Sequence, residues 1–351
     1  MKTKYTLSKK YTTMYLTLAL ITLISCSKEN ISYSNVIPYS EGTAVIARWK
    51  DNKIACLSLN FDDATPGQAT LAIPAMNEKK IRGTFYINPG RENFQLNKNV
   101  WEISAPANGH ELANHTMTHT GASTYDETIY EVGEASKIIW NIRGHDECGS
   151  LIAFNRGGGT SWNETDLAKV LIDYCNFDRQ EPIGEAFLAL SVKAGSNARD
   201  MYRIVPELLK TGKLGRCHFH GIAANNGIPP KDSGNAGVWI KEFISFLEML
   251  KLKDNEIWIA PFGETFKYVK ERKNSTLNII KESDVSYALS LNCTLDENYY
   301  DLPLTIVVCV PKTWSDCTVN YNGNQESYPV NNGFVMFDAK PNNGQILVAQ
   351  N

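Results

Sequence analysis

Two adjacent carboxylates, Asp62 and Asp63, and two imidazoles four residues apart, His115 and His119, are the residues of this chain best suited to chemistry. One carboxylate and two imidazoles form a three-donor set that leaves a divalent ion an open coordination position, as catalytic metal sites do. The second aspartate then stays free as a general base. Such a constellation outlines a hydrolytic site. The elements that must position it are also legible. Asp62 and Asp63 close the apolar run Ile54-Ala-Cys-Leu-Ser-Leu-Asn-Phe61, a strand-length segment bounded by the turn-forming Ala64-Thr-Pro-Gly67. His115 and His119, at i and i+4, are within reach of one ion from a single helical turn. Zinc proteases share that spacing but carry a glutamate directly after the first histidine. Here Thr116 follows His115, and His110-Glu-Leu-Ala-Asn-His115 is one residue too long for that motif.

Short apolar runs alternate with amphipathic segments from about residue 54. Strands are predicted over 84–87, 151–154, 216–220 and 256–260, and helices over 126–140, 163–174, 238–250 and 264–273. This alternation implies a parallel sheet or barrel with its functional groups at the C-terminal strand ends. Asp62, Asp63, Arg156 and His220 all stand at such ends. The texture changes after about residue 285. Runs at 287–291, 304–310, 334–337 and 345–348 are separated by Asn, Gly and Pro turns, which predicts a small all-β module. Its Tyr299, Tyr300, Trp314 and Tyr321 suit a sugar surface, but packing against the main domain is the default expectation. The expected organisation is a leader over 1–25, a tether over 26–50, the α/β domain over 51–284 and the β module over 285–351.

The 351 residues are 43% hydrophobic and 21% charged, ordinary values for a globular protein with a sizeable core. Lys2, Lys4, Lys9 and Lys10 precede a short apolar stretch over 14–24, a signal-peptide pattern too short for a membrane span. Leu23-Ile-Ser-Cys26 resembles the lipobox of bacterial lipoproteins, which implies a lipid anchor on Cys26. Ser27 after the cysteine, by the same resemblance, favours the outer membrane of the bacterial cell envelope. Loss of the four lysines takes the formal charge from −3 to −7. An acidic chain argues against nucleic acid as a partner. Seven cysteines follow Cys26. Cys309 and Cys317 are near enough in sequence to pair, whereas Cys56 and Cys217 lie in apolar runs as core residues.

Leu57-Ser-Leu-Asn-Phe-Asp-Asp63 followed by Gly109-His-Glu-Leu-Ala-Asn-His-Thr-Met-Thr-His119 resembles the first two motifs of the NodB-homology polysaccharide deacetylases, carbohydrate esterase family four. The likeness spans roughly residues 54–272. It implies an irregular (β/α) barrel, with Asp63, His115 and His119 holding a divalent metal, usually zinc, and Asp62 as general base. It further implies a hydrolase that removes N-acetyl or O-acetyl groups from a polysaccharide or oligosaccharide. The family's general acid is a histidine at a late strand end, for which His220 is the match and His218 the fallback.

The chain also departs from the family. The third motif, Arg-x-Pro, is replaced by Phe154-Asn-Arg156-Gly-Gly-Gly159. Arg156 is expected either to steer Asp62 or to bind substrate, and the three glycines to let a sugar approach the backbone. Ala64 stands where the family has a glycine. Trp162, Trp239 and Trp258 are candidates for a sugar-stacking wall against a default of core packing. His110 and Glu111 read as structural, and His145 as a loop residue. Two rivals remain. One is a catalytically inactive surface lipoprotein that binds glycans, which the intact Asp-Asp and His/His set disfavours. The other is an amidohydrolase-type barrel, which would carry His-x-His on its first strand.

Overall fold

The run that carries the aspartates forms strand Ala55–Asp62, buried along its whole length. The computed structural model describes residues 40–351 apart from 147, 160, 182, 225–230 and 233–234. The leader and Cys26 lie outside the described residues. Among those described, no helix is long and apolar enough to cross a membrane.

Ala55–Asp62 is central in an all-parallel sheet. On one side follow Thr84–Ile87, Glu111–Asn114, Ile152–Phe154 and Asn176–Asp178; on the other follow Leu214–Phe219 and Phe187–Ser191. Ile257–Ile259 pairs with residues 55–57 at the start of the central strand. Alternation along that strand sends Leu57, Leu59 and Phe61 into the core beneath the helices, together with Phe85, Leu112, Phe219 and Phe243. Cys56 faces a second cluster with Tyr86, Ala113, Ala153 and Phe177.

The sheet curls. Arg179 directly follows Asn176–Asp178, four strands from Ala55–Asp62. Four steps across a flat sheet span about 19 Å, beyond the reach of an arginine. Yet the Arg179 guanidinium bonds Asp62, and Arg216, from the strand beyond, donates to the Arg179 carbonyl. The alternating strands and helices thus form a curled half-barrel of mixed α/β class, as the sequence pattern implies.

Helices start where their caps place them. Asn163 Oδ1 accepts from Thr165 N and Asp166 N to open Glu164–Asp173. Thr124 and Glu127 form a capping box at Tyr125–Thr128, and the helix runs on through a π-type stretch, Ile129–Glu134, to Ala135–Arg143. Gly144, at φ 72°, ends it in the left-handed conformation that glycine adopts without cost.

The C-terminal strands form two antiparallel sheets. One begins at Ser275–Ser283, ahead of residue 285, and continues with Ser286–Cys293, Gln345–Gln350, Asp316–Tyr321 and Asn324–Pro329. In the other, Leu304–Cys309 lies between Phe334–Ala339 and Ala44–Ile46. The segment expected to be a tether therefore supplies a strand near its end. Its apolar Ala-Val-Ile finds a partner some 260 residues away, which no local pattern shows. Trp49 is buried, and its indole donates to the Gly212 carbonyl at 2.9 Å. Trp258, Phe262, Phe266 and Tyr268 share one core with Leu304, Ile306, Val308 and Phe337, so the β strands pack on the barrel. Trp314 is buried in that core, and Tyr300 and Tyr321 pack against it. Cys309 and Cys317 lie on different sheets and are unbridged.

Candidate metal centre and active site

Asp62 and Asp63 emerge where the central strand turns sharply. Asp63 and the following Ala64 have φ of 79° and 47°, left-handed values unusual for residues with a side chain. This is the position where the resembling family has glycine. The turn is anchored by Asp63 N, which donates to the Tyr86 carbonyl at 3.1 Å.

His115 and His119 sit on the irregular loop that follows Glu111–Asn114, not on a helical turn. Thr116 and His119 have φ of 70° and 67°. Two buried asparagines hold this path. Asn114 Oδ1 accepts from Thr116 N at 2.7 Å, and Asn88 Nδ2 donates to the His115 and Thr116 carbonyls. The turn brings the two imidazoles to a ring-centre distance of 4.8 Å.

Asp63 Oδ1 lies 3.7 Å from His115 Nε2 and 3.4 Å from His119 Nε2. One donor atom of each of the three residues lies within 4.8 Å of the others. Two donors about 2.1 Å from one ion at a tetrahedral angle are about 3.4 Å apart, so the set fits a divalent ion. The His115 ring supports this fit. Its Nδ1 is 2.9 Å from the Asn155 carbonyl, which fixes the proton on Nδ1 and leaves the Nε2 lone pair facing Asp63. Burial and the neighbouring His115 push the His119 pKa below its ordinary value, against the pull of Asp63, which favours the neutral ring that a ligand must present. A nitrogen-and-oxygen set of this kind suits zinc and its divalent neighbours.

Asp62 is held separately. Arg179 Nη1 donates to Oδ1 at 2.8 Å and Nη2 to Oδ2 at 3.1 Å, while Asn155 Nδ2 donates to Oδ2 at 3.2 Å. Burial works to raise this carboxyl's pKa. The Arg179 guanidinium, then His115 and His220, outweigh it and hold Asp62 well below the usual carboxylate range. Asp62 is therefore a buried, ionised carboxylate beside the three-donor cluster.

Arg156 does not reach Asp62. Its guanidinium makes a two-point pair with Glu164, at 2.8 and 2.5 Å, and lies over the Trp162 ring. The arginine on the base comes instead from the next strand, in Asn176-Phe-Asp-Arg179. The motif resemblance pointed to Arg156, after the third strand counted from Ala55–Asp62, whereas the curl of the sheet selects Arg179, after the fourth. Arg179 is itself buried, but the short Asn176–Asp178 strand before it carries too little pattern to have marked it in the sequence.

The glycine run also serves a different end. A Cβ on Gly157 would stand 2.5 Å from Thr116 Oγ1, and one on Gly158 would stand 2.6 Å from His119 Nδ1. Gly159, at φ 90°, would meet the Thr120 carbonyl at 2.1 Å. The three glycines press against the histidine loop, so the close approach they permit is to protein and not to a sugar.

His218 and His220 lie two residues apart near the end of Leu214–Phe219. His218 Nε2 is buried without a hydrogen-bond partner, and burial, reinforced by Arg179, pushes its pKa down to about 3. His220 is half-buried just beyond the strand, and its carbonyl accepts from Gln68 Nε2 and Thr65 Oγ1. Arg91, which the motifs did not suggest, contacts Asp63 Oδ1 at 3.3 Å from the loop after Thr84–Ile87. His110 uses both ring nitrogens, on Gly83 N and Asn77 Oδ1, and Glu111 accepts from Thr84 Oγ1 and Gly263 N, so both are structural. Trp258 is buried against Tyr268, Trp162 packs beside a small core of Val132 and Phe154, and His145 is exposed.

These residues fall where relatives can be compared. The model of the polysaccharide deacetylase family matches residues 50–161. A gellan lyase from Bacillus sp is 20% identical over 348 residues, which cover 89% of this chain and 13% of that protein, so the chain spans about an eighth of that relative's length. Among solved structures, a polysaccharide deacetylase from Bacillus cereus is 19% identical, with 59% of this chain and 92% of that one covered and a TM-score of 0.39. A family 4 acetyl xylan esterase from Clostridium thermocellum, in complex with a cobalt ion, is 14% identical over 60% of this chain and 90% of that one, with a TM-score of 0.39. A CE4 family pseudoenzyme from Bacillus anthracis is 12% identical over 60% of this chain and 65% of that one, with a TM-score of 0.37. The family-model match spans Asp62, Asp63, His115 and His119, so residues 50–161 are similar to polysaccharide deacetylases over that part of the chain.

Proposed function

We propose that this protein is a metal-dependent carbohydrate deacetylase, which hydrolyses acetyl groups on a polysaccharide or oligosaccharide. The observation that carries this reading is an ionised, arginine-held Asp62 beside a compact Asp63, His115 and His119 donor set. A divalent ion bound there, zinc in the first instance, supplies Lewis acidity toward water and toward an acetyl carbonyl. Asp62 takes the proton of the attacking water, and Arg179 and Asn155 keep its carboxylate aimed and charged. The departing sugar amine or hydroxyl needs a proton donor. His220 is the better suited of the two late-strand histidines, because burial and Arg179 keep His218 neutral far below pH 7. Arg156, paired with Glu164 and stacked on Trp162, belongs to the rim, where it can meet substrate. Anchorage in the bacterial cell envelope through Cys26 belongs to the same proposal and has its support in the leader sequence alone.

Acetate release is the test. The chain from residue 28 onward is given acetylated xylan or N-acetylglucosamine oligomers, each with chelator and with added zinc. Chelator-sensitive release from one of them supports the reading and identifies ester or amide as the bond cleaved. A protein that binds metal yet releases no acetate from either would overturn it in favour of the glycan-binding rival.

A further inference from the structure

We propose that Glu131 is a positioning residue that sets the place of His119, an inference that rests on the reading of Asp63, His115 and His119 as metal ligands. Glu131 is nearly fully buried, in the π-type stretch Ile129–Glu134 of the helix behind the histidine loop. Such widened turns recur at functional sites because the extra residue redirects side chains. Glu131 spends all of its oxygens on this loop. Its backbone carbonyl accepts from Met117 N at 2.7 Å, and Oε2 accepts from Thr118 N at 2.9 Å. Oε1 accepts from Thr118 Oγ1 and, at 3.2 Å, from Thr120 Oγ1. The residues before and after His119 are thus clamped to one carboxylate, and their hydroxyls lie 2.9 Å apart.

The clamp matters because His119 has little else to place it. It sits in a left-handed loop conformation, its side chain is about 29% exposed, and no regular element carries it. From the other side, Thr116 Oγ1 accepts from His119 N at 3.1 Å and Gly158 lies against the ring. Partners behind a ligand fix its direction, and their removal commonly lowers metal affinity by about 10- to 100-fold. Glu131 acts here through the backbone of the ligand's neighbours.

Cobalt binding by the purified chain tests this. The Kd for Co2+ and the visible absorption spectrum of the complex would be measured for the wild type, Glu131→Gln, Thr120→Val and His115→Ala, together with the thermal unfolding of each metal-free protein. We expect Glu131→Gln to weaken Co2+ binding about 10-fold or more and to shift the visible bands, which report coordination geometry. Thr120→Val, which removes a single donor, should shift them in the same direction by less. It also decides the question if Glu131→Gln fails to fold. Wild-type affinity and spectrum in the folded variants would overturn the clamp. A wild type that binds no Co2+, or a His115→Ala variant that binds as well as the wild type, would overturn the ligand reading itself.

Discussion

Arg179 and Asp62 form a buried two-point pair, with Nη1 to Oδ1 at 2.8 Å and Nη2 to Oδ2 at 3.1 Å, across 117 residues of sequence. The guanidinium lies over the Tyr86 ring at 4.5 Å and its carbonyl is held by Arg216. A buried charge pair is costly to break from one side, because the remaining ion is left without compensation. Arg179 therefore ties the Asn176–Asp178 end of the sheet to the central strand and keeps the Asp62 carboxylate charged.

Asp62 and His115 should separate by what their loss removes. Asp62→Asn should lower acetate release about 10²- to 10⁴-fold while metal still binds, since Asp63 and both histidines remain. His115→Ala should lower metal content as well. Metal analysis beside turnover checks this, and equal metal loss in both variants would sink the division into base and ligand.

Arg179 and Arg156 should differ in the same way. Arg179 depresses the Asp62 pKa, so it keeps the base ionised down to low pH. In Arg179→Ala the carboxyl should rise toward and above its ordinary range, moving the acid limb of the pH–rate profile to higher pH. Arg156→Ala, with its partner Glu164 exposed, should leave that limb in place and affect the KM alone. A profile unmoved by Arg179→Ala would contradict the assigned pairing.

Gly158→Ala tests the packing behind His119. A methyl group there would stand 2.6 Å from the imidazole, inside contact distance, so the ring or the loop must shift. Metal affinity should drop about 10-fold, with little change in the unfolding of the metal-free protein. Unaltered affinity would show that the loop relaxes freely.

Glu271 should make stability depend on pH. It is buried at the junction of Phe262–Lys273 with the β strands, where Oε1 accepts from Leu302 N at 3.0 Å and Oε2 has no partner. Burial pushes its pKa from 4.5 up to about 7. The folded state then holds a proton that the unfolded chain gives up, so the stabilising contribution is full below about pH 4.5 and is lost as pH rises through about 7. Thermal unfolding of the wild type should fall across that interval, and Glu271→Gln should flatten the fall and raise the midpoint by a few degrees above pH 7. Parallel curves for the two proteins would show that another group governs the dependence.

Much of the frame was readable because its causes are local. A buried parallel strand requires an unbroken apolar run, so residues 54–61 announced it, and the side-chain cap at Asn163 and the left-handed glycine at Gly144 mark helix ends within a few residues of their cause. The edge strands Asn176–Asp178 and Phe187–Ser191 escaped notice, since the first has a single apolar residue and the second is mostly exposed, so neither has the buried apolar run that marked 84–87 and 151–154. Ala44–Ile46 was hidden for another reason. Its pairing with residues 306–308 is a long-range choice that its own composition does not reveal.

The sequence by itself determined the donor chemistry of this protein. Two aspartates at a strand end and two histidines in a short motif are covalent facts, and their residue types already imply a metal and a base. Tertiary structure alone decided which other groups serve them. Arg179 in place of Arg156, Glu131 behind His119, and glycines pressed against the ligand loop all follow from the curl of the sheet and the left-handed path of residues 115–119. Curl and loop path are set by the packing of many distant side chains at once. No single segment encodes them, and so no single segment could display the residues that they bring together.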